Sequence, residues 1–150
     1  MDGEKLEAAL RALADREAIR GLTDRYAHCV WTKDAAAIAA LFVEDGVMDT
    51  GDGRPLKGRE TITKVYQRVF ARNEFQPFVH NHLITLAGDS ASGTCYLDLR
   101  GTVDGKRMIG AGHYDDRYVR VDGEWKFLSR RLAMRFLVPL NEGSAQAGEP

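Results

Sequence analysis

Residues 78–138, FVHNHLITLAGDSASGTCYLDLRGTVDGKRMIGAGHYDDRYVRVDGEWKFLSRRLAMRFLV, decide the fold. Apolar and polar side chains alternate here with a period of two, the pattern of half-buried strands. The alternation predicts four strands, over 78–87, 91–103, 106–121 and 124–138. The breaks between them are turn sequences: Gly88-Asp89, Asp104-Gly105 and Asp122-Gly123. Asp-Gly favours positive φ in tight hairpins, so consecutive strands form an antiparallel meander. The last three strands exceed the usual five or so residues. Gly110 and Gly112 in mid-strand mark a place for a bulge or bend.

Upstream the period changes to that of a helix. Leu6, Leu10 and Leu13, then Ile19, Leu22, Tyr26, Cys29 and Val30, recur at spacings of three and four. The stripe loses phase near Ala14 and Asp15, which predicts an N-terminal helical arm over 1–14 and a second helix from a cap at Asp15 to Val30. A short helix follows, with Asp34 as N-cap. Residues 46–49 and 54–57 predict a small hairpin around Gly51-Asp52-Gly53, and Ile62, Val65, Tyr66, Val69 and Phe70 predict a third helix. Helices first and long meander last predict a cone-like α+β domain over 15–140, about three helices packed in a curved, mainly antiparallel sheet. Residues 141–150 are Gly/Ala/Glu-rich and read as a flexible tail.

Composition bounds the function. The chain has 150 residues, 44% hydrophobic and 29% charged, with a formal net charge of −1. That is a single ordinary globular domain. It lacks a basic footprint for nucleic acid or a cationic face for anionic lipid. No run approaches the roughly 18 apolar residues of a membrane span. The N-terminus is acidic and amphipathic rather than signal-like. Cys29 and Cys95 form no CxxC pair, so reduced thiols in the cytoplasm are expected.

Four segments in order, DREAIRGLTDRYAHCV at 15–30, DAAAIAALFVEDGVMD at 34–49, LKGRETITKVY at 56–66 and GHYDDRYVRVDGEWKFLSRRL at 112–132, resemble the SnoaL-like branch of the nuclear-transport-factor-two-like superfamily. The resemblance implies a cystatin-like α+β barrel and self-association as a homodimer or larger homo-oligomer. It is strongest toward the dehydratase, dehydrochlorinase and aromatic-diol lyase type, which commonly works without cofactors. There an aspartate at the end of the first helix orients a histidine on the first long strand, and a tyrosine polarises an oxygen. Tyr26 matches the family's tyrosine. The aspartate position falls on Trp31 and the histidine position near Pro77, with His80 three residues on.

The residues themselves suggest where chemistry could sit. His80 and His82, two apart on a strand, are expected on one face beside Phe78, Ile84 and Leu86. They are either an imidazole pair opening into a pocket or a strand-end pair bonded to neighbours. Imidazole exchanges protons near neutral pH, which suits a general base. Tyr26, on the apolar stripe, needs a partner for its phenol. The expected catalytic set is thus His80, His82 and Tyr26. Trp31, His113, Tyr96 and Arg131 are expected to contact substrate. His80, His82 and His113 could supply three nitrogen ligands, but no acidic ligand stands at a fixed offset from them, so neither a metal nor another cofactor is expected. With these residues, the resemblance implies a cofactor-independent lyase, dehydratase or isomerase acting on a small hydrophobic oxygenated molecule (aromatic, terpenoid, steroid or polyketide). A non-catalytic binding or assembly domain, or the accessory subunit of an oxygenase, is the alternative.

Overall fold

The computed structural model describes residues 2–140; the expected tail at 141–150 lies outside them. The first helix, α1, runs from Gly3 to Trp31 without a break. Asp2 caps it, its carboxylate accepting from Lys5 N at 2.8 Å. The break expected at Ala14–Asp15 does not occur, because a shift in the apolar stripe supplies no residue that stops a helix. Asp15 serves elsewhere: its carboxylate accepts hydrogen bonds from Arg120 and from Trp125 Nε1. Ile19, Leu22, Tyr26 and Val30 form the buried face of α1, while Leu6, Leu10 and Leu13 of its first half are exposed.

Helix α2 (Ala35–Ala40) is capped by Asp34, as its sequence predicts, with Ala37 N donating at 3.0 Å. Strand β1 (Phe42–Asp49) then pairs antiparallel with the short β2 (Leu56–Lys57). Helix α3 (Arg59–Arg72) leads into four long strands, β3 (Glu74–Ala87), β4 (Ser90–Val103), β5 (Lys106–Val121) and β6 (Glu124–Pro139). The six strands form one sheet in the order β2-β1-β6-β5-β4-β3. The meander β3 to β6 is antiparallel throughout, and β1 joins it parallel to β6.

The helices cover the inner face of this sheet. On β4, Cys95, Leu97 and Leu99 turn inward while Tyr96, Asp98 and Arg100 turn outward. Ile19, Leu22, Ile38, Phe42, Ile62 and Phe127 are completely buried where helices meet sheet. Each such side chain contributes about 1.5–3 kcal/mol by leaving water. Gly110 and Gly112 are required by close approach: a Cβ would stand 2.4 Å from Phe136 O at the first and 2.4 Å from Ala133 O at the second. The β5–β6 register shifts beside them, between Ala111 and Gly112. A bulge there bends the strands toward the helices.

Candidate functional site

A cavity of about 280 Å³ opens between α1, α3 and the inner face of the sheet. Its wall is mostly apolar: Val30, Leu56, Val65, Val69, Phe70, Phe75, Pro77, Leu99 and Leu132. Three phenols enter it, Tyr26 from α1, Tyr66 from α3 and Tyr114 from β5. Thr50 and Asp52, from the loop after β1, complete the rim, and Asp52 carries the wall's only carboxylate among the described residues.

The phenols are arranged as a group. The hydroxyls of Tyr26 and Tyr66 share a short, buried hydrogen bond. Tyr26 also meets Tyr114 edge to face, with ring centroids 5.7 Å apart. Among the described residues, no side-chain hydrogen bond engages the Tyr114 hydroxyl. Burial pushes Tyr26, Tyr66 and Tyr114 above the ordinary phenol range. They therefore stay protonated and act as donors rather than bases.

Behind the phenols runs a buried polar chain. Arg130 is 0% exposed, and its Nε donates to Asp116 at 3.1 Å. The other Asp116 oxygen accepts from the Tyr118 hydroxyl at 2.8 Å. That hydroxyl has then spent its proton, so its 2.8 Å contact with His82 Nε2 is donated by the imidazole. Neutral His82 is thereby fixed as the Nε2–H tautomer, and its buried Nδ1 has no partner among the described residues. Burial, reinforced by the charges of Arg130 and Arg20, lowers the His82 pKa to about 4. Burial also raises the Asp116 carboxyl, against the opposing pull of Arg130.

Of the residues expected from sequence to form the site, the structure brings Tyr26 to the cavity wall. His80 and His82 are separated by a bulge. Asn81 takes φ 51, and the β3–β4 register gains one residue between His80 and Leu83. The expected shared face is therefore corrected: His80 points outward, with Nε2 3.2 Å from Asp98 Oδ2, and His82 points inward to Tyr118. His113 and Tyr96 also lie on the outer face, in one cross-strand row with His80. His113 Nε2 stands 3.3 Å from Asp115. Arg131 is on that face too, its side chain 70% exposed. Trp31 is half exposed and reaches the cavity only indirectly, its Nε1 donating at 2.9 Å to the carbonyl of Pro77, a wall residue. Among the described residues no group of three His, Cys, Asp or Glu is placed to hold a metal ion.

Sequence reasoning missed Tyr66, Tyr114, Asp116 and Arg130. The first sits on a helix stripe that reads simply as core. Tyr114, Asp116 and Tyr118 were in principle readable, because the alternation through 112–118 places them on one face with Gly112. Arg130 was not, because the β5–β6 register shifts again between Arg117 and Tyr118 and changes which face of β6 is inward.

Comparison with known proteins agrees with this architecture. A SnoaL-like domain profile matches residues 11–131. The chain belongs to the SnoaL-like domain family. A candidate aromatic ring hydroxylase from Novosphingobium aromaticivorans is 30% identical, with 85% of this chain and 94% of that one covered and a TM-score of 0.78. An NTF2-like protein with a cystatin-like fold from the same organism is 27% identical over 97% and 96% of the two chains, TM-score 0.78. Hexachlorocyclohexane dehydrochlorinase LinA-type3 from Novosphingobium barchaimii is 23% identical over 89% and 95%, TM-score 0.82, a likeness of fold. No protein of curated function matches the sequence. No helix of this SnoaL-like protein is long and apolar enough, among the described residues, to cross a membrane.

Proposed function

We propose that this SnoaL-like domain encloses a small, largely apolar, oxygen-bearing molecule in the three-tyrosine cavity and acts on it as a cofactor-independent lyase or isomerase. The observation that carries the reading is the wall itself, apolar except for Tyr26, Tyr66, Tyr114 and the rim residues Thr50 and Asp52. Such a wall selects by shape and apolar contact and fixes orientation through a few polar groups. In an elimination, a carboxylate takes a proton from carbon beside the oxygenated centre. The C–H electron pair becomes the new double bond, and the leaving group departs with its pair. A phenol O–H aimed at the oxygen or leaving group stabilises the charge that develops there. Asp52 supplies the carboxylate in this scheme and the tyrosine group supplies the donor. The dehydrochlorinase neighbour, whose name denotes an elimination, supports the reaction class on this fold, though fold alone does not choose a chemistry.

One observation favours the alternative of a binding domain: none of the described histidines reaches the wall. The deciding experiment incubates the protein with a panel of small hydroxylated or halogenated aromatic and alicyclic compounds. Liquid chromatography coupled to mass spectrometry reads loss of water or of hydrogen halide by mass and isomerisation by retention time. Turnover that falls about 10²- to 10⁴-fold in Asp52→Asn, the usual cost of losing a general base, supports the lyase. Saturable binding without turnover of any compound would establish the binding domain instead.

A further inference from the structure

The charge on Arg130 is neutralised on one side only. Asp116 engages the Nε edge, whereas Nη1 and Nη2 are buried without a hydrogen-bond partner among the described residues. What those ends meet is aromatic: the guanidinium carbon lies 3.5 Å from the Tyr114 ring centroid and 4.3 Å from that of Tyr26. Arg130 itself does not reach the cavity, so the two rings stand between the cation and any ligand. A cation held against a ring face draws on its electron density and favours negative charge on the phenol oxygen, or on an atom that oxygen binds.

The donor count points the same way. Tyr26 and Tyr66 have two hydroxyl protons and use one between themselves. The second meets only Met48 Sδ, a weak acceptor 3.9 Å from the Tyr26 oxygen, so a ligand oxygen can compete for it, and among the described residues no side-chain hydrogen bond takes the proton of Tyr114. The other charged or titratable groups near Arg130 are Tyr66 in the cavity wall, and Asp116, Tyr118, His82 and Cys95, which lie inside the protein rather than in the wall. Asp52, the one wall carboxylate among the described residues, is exposed at the rim, where water screens it.

We infer that Arg130, acting through the ring faces of Tyr26 and Tyr114, makes this cavity a site for the anionic form of an acidic phenol or enol, its oxygen seated on the tyrosine hydroxyls. Arg130 is on this account a positioning residue, and the inference rests on reading the cavity as the ligand site. It also narrows the reaction: the species stabilised in an isomerisation or elimination is an enolate or phenolate.

The test uses 4-nitrophenol, whose neutral and anionic forms absorb differently, with uncharged 4-nitroanisole as its control. Bound to the wild-type protein, 4-nitrophenol should ionise about one pH unit lower than when free, a roughly tenfold preference for the anion. The double variant Arg130→Met/Asp116→Asn, which leaves no buried charge, should lose that preference while still binding 4-nitroanisole. Asp116→Asn alone, which frees the Arg130 charge, should increase it. Circular dichroism confirms folding of each variant. A wild-type protein that binds both compounds but prefers the neutral phenol overturns the anion site and leaves the ligand-site reading standing. A preference that survives in the double variant overturns the role of Arg130. Failure of both compounds to bind overturns the ligand-site reading and this inference with it.

Discussion

The Arg130 guanidinium carbon lies 3.5 Å from the Tyr114 ring centroid, closer than to any other aromatic ring it meets. That stack, with the Asp116 ion pair at its far edge, places two opposite charges in a core that excludes water. Such pairs add little stability over apolar isosteres, yet breaking one strands its partner. Arg130→Met should therefore destabilise the fold by about 3–5 kcal/mol, since it leaves the Asp116 carboxylate uncompensated. Arg130→Met/Asp116→Asn should recover much of that loss. Urea denaturation followed by circular dichroism measures both; equal losses in single and double variants would show that packing, not charge, holds the site.

The Tyr26–Tyr66 hydrogen bond makes a similar non-additive prediction. Removing the Tyr26 hydroxyl leaves that of Tyr66 without its side-chain partner, and removing the Tyr66 hydroxyl leaves that of Tyr26 only the weak acceptor Met48 Sδ; each costs up to about 1–3 kcal/mol, whereas removing both leaves neither hydroxyl unsatisfied. Tyr26→Phe and Tyr66→Phe should each destabilise the protein, and the double variant should lose less than their sum. A double-mutant cycle of urea midpoints reads the coupling directly. Additive losses would mean that the two phenols do not depend on one another.

On the outer face, His80 should be dispensable for whatever the cavity does: His80→Ala should change ligand affinity or turnover by less than about twofold, because its side chain pairs with exposed Asp98 and is absent from the cavity wall, and such a surface pair adds little even to stability. A large loss in a folded variant would move the site to the outer face. Why sequence placed His80 inside is instructive. The meander, its turns, the Asp34 cap and the inward position of Tyr26 follow from period and local turn chemistry, which act within a few residues. What failed depends on register. Asn81 inserts one residue into β3 and sends His80 and His82 to opposite faces, and a second shift in β6 turns Arg130 inward. The parallel pairing of β1 with β6 is likewise invisible, since it joins segments some eighty residues apart without a hairpin between them.

That same outer face carries Phe78, Tyr96, Phe136 and Val138, each 41–48% exposed. Adjacent registers bring Phe78, Asp98, Ala111 and Phe136 into one row across four strands. Apolar surface of this kind favours a symmetric self-association. The expected solution mass is that of two or more chains, and Phe136→Glu should shift it toward one. Sedimentation equilibrium at micromolar concentration decides; a wild-type protein of single-chain mass would leave this face without a role in self-association.

His82 should give the protein an acid-side stability loss of its own. Burial lowers its folded pKa to about 4 from an ordinary 6.5. Between those values the unfolded chain binds a proton that the folded protein refuses, so unfolding takes up protons and stability falls as pH falls. The contribution is fully present above about pH 6.5 and is lost progressively toward pH 4. Asp116, whose carboxyl is raised by burial, works in the opposite sense, favouring the folded state at low pH, so the net profile of the wild type understates the His82 effect. Comparison with His82→Gln isolates it, because the glutamine amide can still donate to the Tyr118 hydroxyl but does not titrate. The expected result is a urea midpoint that drops between about pH 7 and about pH 5 more in the wild type than in the variant, by less than one full proton's linkage because the imidazole is only half buried. Parallel profiles would mean that His82 titrates in the folded protein as it does in the unfolded chain, and so sets no pH dependence of stability. A proton taken up by His82 goes to Nδ1 and leaves every hydrogen-bond direction in the chain from His82 through Tyr118 and Asp116 to Arg130 as it stands, because Nε2 already donates.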